Sequence, residues 1–568
     1  MSRLVGKSPA LCTDLPLENS DILNKLHLLG QLLRSCFGPS GRLKHIHNNI
    51  GGQVVTTSTS SVLLPAIYSS TPFLNLILAS IRNHVSRLGD CGLFAAILCV
   101  TLIEKVKQSG LRQNEAIRIN KHLLGLCTTY LEDKECGCKV KLDFSSSHNL
   151  IKLVRNILCS KPATMLREYE TLHISKLAVE AFLLTVPSNS NGVVTLGMTV
   201  IVPIEGLPVM ESKVFPGLLV DVPVGFEDLE PRNQPCSPLR VVLFSTSLAG
   251  HLSEIGDGPI EVQYGTDMDS QILDQLLEIG KQVFKDNVKI CVCQKVIHPV
   301  LQQFLRSHGV IVVERVGINL MQPLVQLTGA QPLATLHSTI PHKAYGQVGN
   351  VTLRQFGSKS MLHLYPAEES VICTTVLCHR NETILNELKV ACQKTEHVLR
   401  LTLREPFALL GGGCTETHLA AYIRHQVRCD AAGSASVFGC LQTEYLLGVE
   451  AFCSSLESVA AALQHDSEDS LIDLTCAHHW TLPKDVTQED MESCERKCGC
   501  GLIKMSQTKK WCHLNTKYPV FSPASLSPDV TVHADVLDSF TAKLNALQVA
   551  IETVNVVLDI RYTIQDVN

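Results

Sequence analysis

The chain has 568 residues, 45% of them hydrophobic and 18% charged, and a formal net charge of −5. That length exceeds what a single core accommodates and predicts about three domains. The near-neutral balance, with no basic cluster interleaved with aromatics, argues against a nucleic-acid ligand, because phosphate binding needs concentrated Lys and Arg.

The charged fraction lies below the ~25% of typical soluble domains, and the mean hydropathy is +0.16. Two readings carry equal weight here: apolar surface that a partner covers, or simply a large core. Residues 1–21 show no continuous apolar signal region, and no apolar run reaches the ~18 residues needed to span a bilayer. The expectation is a soluble, intracellular chain. Its 23 cysteines are scattered, many of them within apolar periodic segments (Cys99, Cys291, Cys293, Cys392, Cys453), and their number is odd. In a reducing compartment such residues act as small buried hydrophobes.

In chain order, the first marked feature is the Gly38-Pro39-Ser40-Gly41 turn after a helical stretch. Residues 71–107 look helical, and Gly89-Asp90-Cys91-Gly92 falls among them. Gly192-x4-Gly197-Met198-Thr199 misses a Walker loop by one residue, the methionine where lysine is needed. The strand-like Val200-Ile201-Val202-Pro203 follows in place of a helix, so this stretch reads as a turn before a strand.

The middle of the chain has the clearest rhythm. Residues 268–284 put Ile272, Leu273, Leu276, Ile279 and Val283 on one helical face, and 289–294 read as a short buried strand. Pro299 opens a helix carrying Leu301, Phe304 and Leu305 that ends near Gly309. Residues 310–315 form a second strand and 320–327 a further helix. This alternation argues for a parallel α/β unit.

Leu385, Leu388, Cys392, Thr395, Leu399 and Leu403 then recur at helical steps, Gly411-Gly412-Gly413 precedes a helix, and Phe540, Leu544, Leu547, Ile551, Val554 and Leu558 repeat the pattern. Both stripes read as core packing. An α/β centre between two helical arms suggests an insertion, with the arms forming one domain. Residues 465–529 mix Ser, Pro, charge and cysteine without a period and read as a loop-rich insertion. Cys494, Cys498, Cys500, Cys512 and His513, with Cys136 and Cys138 elsewhere, lack a paired C-x2-C arrangement, so no metal site is expected.

Glycine clusters let backbone amides approach a phosphate, although each alone marks an ordinary turn more often. Their order resembles that of the group II chaperonins, the eukaryotic cytosolic and archaeal ring chaperones. Residues 37–44 (F-G-P-S-G-R-L-K) are similar to the family's L-G-P-K-G nucleotide turn. Residues 89–94 (G-D-C-G-L-F) stand in the place of its G-D-G-T-T-T phosphate loop, and 409–416 (L-L-G-G-G-C-T-E) resemble its later triple-glycine motif. Glu450-Ala451-Phe452, Cys293 to Ile297, Glu314-Arg315-Val316, Thr328-Gly329-Ala330 and 550–559 continue the agreement.

The resemblance implies an α+β and α/β multidomain chain. Its helical equatorial domain comprises 1–145 and 401–568, with the 465–529 insertion. A small intermediate domain comprises 146–205 and 369–400, and an α/β apical domain is inserted at 206–368. A nucleotide pocket would use Gly38, Pro39, Gly41, Asp90, Gly411, Gly412, Gly413 and Asp538, the last as a ribose or adenine contact.

The pattern breaks where hydrolysis needs a carboxylate for magnesium and a group that orients water. Ser58 stands in for the aspartate of the family's T-N-D-G, and Lys394 stands where its water-orienting aspartate falls. Cys91, Gly92, Leu93 and Phe94 replace Gly-Thr-Thr-Thr after Asp90. Cys378-His379-Arg380-Asn381 replaces the hinge glycines. Hydrolysis is therefore expected to be lost or impaired, with no catalytic residue assigned. ATP with magnesium is left open as a ligand against the reading that the glycines only support turns.

These departures, with Met1-Ser2-Arg3-Leu4 and the 410–424 segment, resemble the vertebrate chaperonin-like branch linked to McKusick–Kaufman and Bardet–Biedl syndromes. That implies work with related chaperonin-like subunits and the cytosolic ring chaperonin in assembling a ciliary trafficking complex. It also implies a cytoplasmic, centrosomal or basal-body location. The favoured mechanism is holding a client on apolar or mixed faces of the 268–284 and 299–309 helices, set against the reading that those faces are buried on their own sheet. The alternative is an active ATP-dependent chaperonin subunit; a thiol enzyme finds no Cys–His pairing to support it.

Overall fold

The computed structural model describes residues 11–47, 54–69, 71–187, 196–222, 238–250, 268–335, 340–368, 371–465, 468–483, 496–505, 510–514 and 516–565. The chain divides into two compact units, one formed by Met1–Val179 with Asn386–Asn568 and the other by Glu180–Leu385.

The discontinuous unit is built on the helix Gly92–Ser109, whose residues from Gly92 to Ile103 are all buried. A helix that is apolar all round must be enclosed by others. Here the helices Ser20–Arg34, Pro72–Leu88, Gln442–Ala461 and Phe540–Asp559 enclose it. The region read as one helical stretch is thus two helices, broken at Gly89 (φ 78) and Cys91 (φ 59). The first and last described strands, Leu11–Asp14 and Tyr562–Gln565, pair antiparallel. A second sheet places Phe407–Leu410 between Lys139–Lys141 and Leu537–Ser539, antiparallel to both.

The stretch read as loop-rich carries a sheet of its own: Glu468–Asp473 lies between His479–Pro483 and Trp511–His513. Its strands are too short for a period-2 pattern to stand out. Trp480 is nevertheless 1% exposed, and it packs with Leu471, Cys498 and Met505 in a closed core.

In the other unit, Ile311–Val313, Val288–Cys293 and Leu239–Phe244 run parallel, and Tyr345–Val348 closes the edge antiparallel. Val242, Cys291 and Val312 face one cluster and Val241, Ile290, Val292 and Val313 the opposite one. Both faces are buried, which is why the strand reads as a continuous apolar run. The helices Met268–Lys285 and Pro299–Ser307 cover the first face, and Ile318–Thr328 covers the second. The client-holding faces expected on the first two helices are therefore corrected: Leu276 is 0% exposed and Leu301 1%, spent against their own sheet. Among the described side chains of these three helices, the large apolar residues left exposed are Phe284, Val300 and Ile318. Among the described residues no helix is long and apolar enough to cross a membrane, and every described cysteine is a free thiol.

Candidate functional site

The central strand Phe407–Leu410 runs straight into Gly411-Gly412-Gly413, and its neighbour Leu537–Ser539 sets Asp538 opposite Leu409. The Gly411 N–H donates to the Val536 carbonyl at 3.0 Å, fixing the exit of the strand. A cavity of about 520 Å³ opens at this edge, lined by Gly38, Pro39, Ser58, Asp90, Gly412, Gly413 and Asp538. Gly41 braces the first turn from behind, its N–H donating to the Gly38 carbonyl at 3.1 Å. Lys394 lies beyond the Gly89 turn, with its Cδ 3.5 Å from where a Gly89 Cβ would stand. Gly197 and Thr199 belong to the other unit, at the entry of the strand Met198–Glu205, and Gly192 lies outside the described residues. The Walker-like stretch has no part in this cavity.

Four charged residues that the sequence did not single out govern the site. Lys161 is 5% exposed and lines the cavity with its ammonium 3.9 Å from Asp90 Oδ1. Lys543 donates to Asp538 Oδ2 at 2.5 Å and pairs with Glu416 Oε1 at 2.8 Å. Burial alone would lower the pKa of Lys543, but the Asp538 and Glu416 carboxylates outweigh it and hold that pKa well above the ordinary lysine value. Asp538 also accepts from Asn156 Nδ2 at 2.8 Å, so both its oxygens have donors. The other Glu416 oxygen, Oε2, has no hydrogen-bond partner among the described residues.

The fourth is Glu387, 4% exposed, which gathers the 57–59 loop. It accepts from the Thr57 hydroxyl at 2.9 Å, the Ser58 N–H at 3.3 Å and the Thr59 hydroxyl at 2.5 Å. Ser58 turns its own Oγ inward to accept from the Ala163 N–H at 3.2 Å. Burial and then the Lys161 ammonium lower the pKa of Lys394, with Asp90 offsetting part of the effect. In the 89–92 turn Cys91 holds a left-handed φ of 59° that glycine adopts without strain.

The expectation of no metal-ligating cluster also needs correction. Cys498 and Cys500 meet Cys414 and His478, all four buried, with one ligand atom from each lying within 4.8 Å of the others. Spacing hid this group because Cys414 starts the helix Cys414–Cys429 and His478 lies in the turn of the insertion sheet. Cys494 lies outside the described residues.

The sequence profile of the TCP-1/cpn60 chaperonin family matches residues 29–568. The chain belongs to that family. It is 47% identical to the "Molecular chaperone MKKS" of Homo sapiens and 44% identical to that of Mus musculus, each over 100% of both chains. Similarity extends to the "Thermosome subunit" of Methanocaldococcus jannaschii, at 24% identity over 79% of this chain and 80% of that protein.

Proposed function

We propose that this chain is a chaperonin-like assembly factor that holds client subunits, with ATP hydrolysis lost or impaired. The observation that carries the reading is the charge pattern around Asp90. Hydrolysis needs carboxylates that hold magnesium and orient water. Around Asp90 stand the Lys161 ammonium, the Ser58 hydroxyl already engaged with a backbone N–H, and the Lys394 side chain where a carboxylate would be needed. Asp538 and Glu416, the other carboxylates that line the cavity, are paired with Lys543, and the Glu387 carboxylate behind the 57–59 loop is taken up by donors from Thr57, Ser58 and Thr59. This donor set does not fit a magnesium triphosphate poised for attack by water. The glycine turns leave room for a nucleotide that binds without turnover.

Full-length similarity to proteins named molecular chaperones supports the chaperone role. The motif resemblance to the McKusick–Kaufman and Bardet–Biedl branch adds the finer proposal that the clients are subunits of a ciliary trafficking complex, assembled with related chaperonin-like subunits and the cytosolic ring chaperonin in the cytoplasm and at the centrosome or basal body. The equatorial, intermediate and apical division by the boundaries given above belongs to this reading. Steady-state ATPase measurement on the full chain tests it: turnover with magnesium should match that of Asp90→Ala. Clear magnesium-dependent turnover that Asp90→Ala abolishes would instead establish an active chaperonin subunit.

A further inference from the structure

We propose that Cys414, His478, Cys498 and Cys500 form a tetrahedral binding site for one zinc ion, which fastens the insertion sheet to the triple-glycine loop. This inference is independent of the reading of the nucleotide cavity.

Sulfur at about 2.3 Å and nitrogen at about 2.0–2.1 Å from a zinc, at tetrahedral angles, stand about 3.5–3.8 Å from one another. Cys498 Sγ and Cys500 Sγ are 3.4 Å apart, and His478 Nδ1 lies 3.4 Å from the first and 3.5 Å from the second. Cys414 Sγ closes the group within 4.8 Å. The sulfurs are far beyond disulfide bonding distance (about 2.05 Å), and the group is too tight for anything larger than a single ion. Exposures of 0% for Cys414, 1% for His478, 3% for Cys498 and 0% for Cys500 remove the site from water. Three thiols and an imidazole without a carboxylate suit zinc or another soft ion, not magnesium or calcium.

The backbone around the four side chains is organised to present them. In the 496–505 hairpin the Cys498 N–H donates to the Ile503 carbonyl at 2.9 Å, and the Gly501 N–H donates to the Cys498 carbonyl at 2.8 Å. Gly501 takes a φ of 84°, which turns the chain tightly enough for both thiols to face one point. The Ile503 N–H is aimed at Cys498 Sγ at 3.2 Å, the kind of outer contact that steadies a metal-bound thiolate. On the opposite side, Asp473 accepts from the N–H groups of Thr475, Cys476 and His478 at 3.0, 2.7 and 2.8 Å, and from Trp480 Nε1 at 3.3 Å. That carboxylate holds the turn carrying His478, including Ala477 at a φ of 60°. A strained non-glycine turn that delivers a side chain to a fixed point is a common property of binding sites.

Occupancy would release the thiol protons to solvent as three thiolates form around the dication. It would also tie together segments remote in sequence. Cys414 directly follows the triple glycine, and Gly412 touches Gly499, which lies between the two hairpin ligands. Gly412, Gly413, His479 and Gly499 all line the cavity described above. Removing the ion should therefore loosen one edge of that cavity.

The test uses the full chain, expressed with zinc available and purified without chelator. Elemental analysis should find about one equivalent of zinc per chain, coordinated by three sulfurs and one nitrogen in X-ray absorption. Cys429→Ser, at an exposed thiol, should retain the ion, whereas Cys498→Ala and Cys500→Ala should lose it. Because those variants can fail to fold, cobalt exchange into the wild-type protein supplies the second readout. It should give thiolate-to-cobalt charge transfer and the strong visible bands of a tetrahedral ion. Wild-type protein without zinc and without the cobalt–thiolate spectrum would overturn the proposal, as would zinc in a shell lacking sulfur.

Discussion

Replacing Glu387 with alanine probes how the cavity's 57–59 loop is held. One buried carboxylate takes donors from Thr57, Ser58 and Thr59, which are 0%, 2% and 2% exposed. Hydrogen bonds to a charged acceptor contribute about 1.5–3 kcal/mol each, and a buried donor left unsatisfied costs about 1–3 kcal/mol. Water entering from the adjoining cavity and rotation of the two hydroxyls offset part of this. The expected net cost is about 3–5 kcal/mol for Glu387→Ala. Glu387→Gln keeps the shape and one acceptor oxygen, and should cost about 1–2 kcal/mol. With a urea slope of about 3 kcal/mol/M or more for a unit of this size, alanine should move the midpoint by roughly 1 M. Hydrogen exchange at the amides of 57–60 should accelerate in parallel. An alanine variant that unfolds within about 0.2 M of wild type, its loop amides still protected, would refute the claim that this carboxylate holds the loop.

Two further variants address the buried charges. Arg424, with a side chain 10% exposed, pairs with Glu457 and with Glu450 at 2.8 Å and contacts the Tyr518 hydroxyl. Arg424→Met strands the buried Glu457 and should cost about 3–5 kcal/mol in urea unfolding; adding Glu457→Met should recover most of that loss. For Lys394 the sign follows from its lowered pKa: the folded state binds protons less readily than the unfolded chain, so wild-type stability rises with pH toward the ordinary lysine value. Lys394→Met should accordingly be the more stable protein near neutral pH, with an advantage that shrinks as pH rises, read from urea midpoints across that range.

What could be read in the sequence depended on periodicity. The helices Met268–Lys285, Glu382–Arg404 and Phe540–Asp559 bury one stripe each against a core, so their spacing declared them. The glycine turns were legible in order, and the cavity gathers three of them. The insertion sheet was not, because strands of three to six residues show too little alternation. Ion-pair partners were equally hidden. Lys543 meets Glu416, and Glu387 meets Thr57, only after distant segments pack, and no local pattern marks a lysine or glutamate as buried. Cys414 and His478 escaped for the same reason, since a ligand set assembled from three places in the chain has no spacing to recognise.

The glycines themselves allow a structural role to be separated from phosphate binding. An ideal Cβ on Gly412 would stand 2.2 Å from the Gly499 carbonyl oxygen, and φ there is 64°. The neighbour is backbone of the insertion, which has no rotamer with which to yield. On Gly38, at a φ of 80°, the nearest atom is the Leu463 Cδ2 at 2.8 Å, the end of a flexible side chain. Gly38→Ala should thus cost only the left-handed strain of about 1–2 kcal/mol, while Gly412→Ala adds a backbone clash and should cost more than about 3 kcal/mol. Both losses should appear in nucleotide-free protein, as lowered urea midpoints. If Gly412→Ala instead proves neutral without nucleotide and harmful only with it, the triple glycine is kept for phosphate. If it unfolds the apo chain as calculated, the motif persists because the insertion packs on it, whatever has become of hydrolysis.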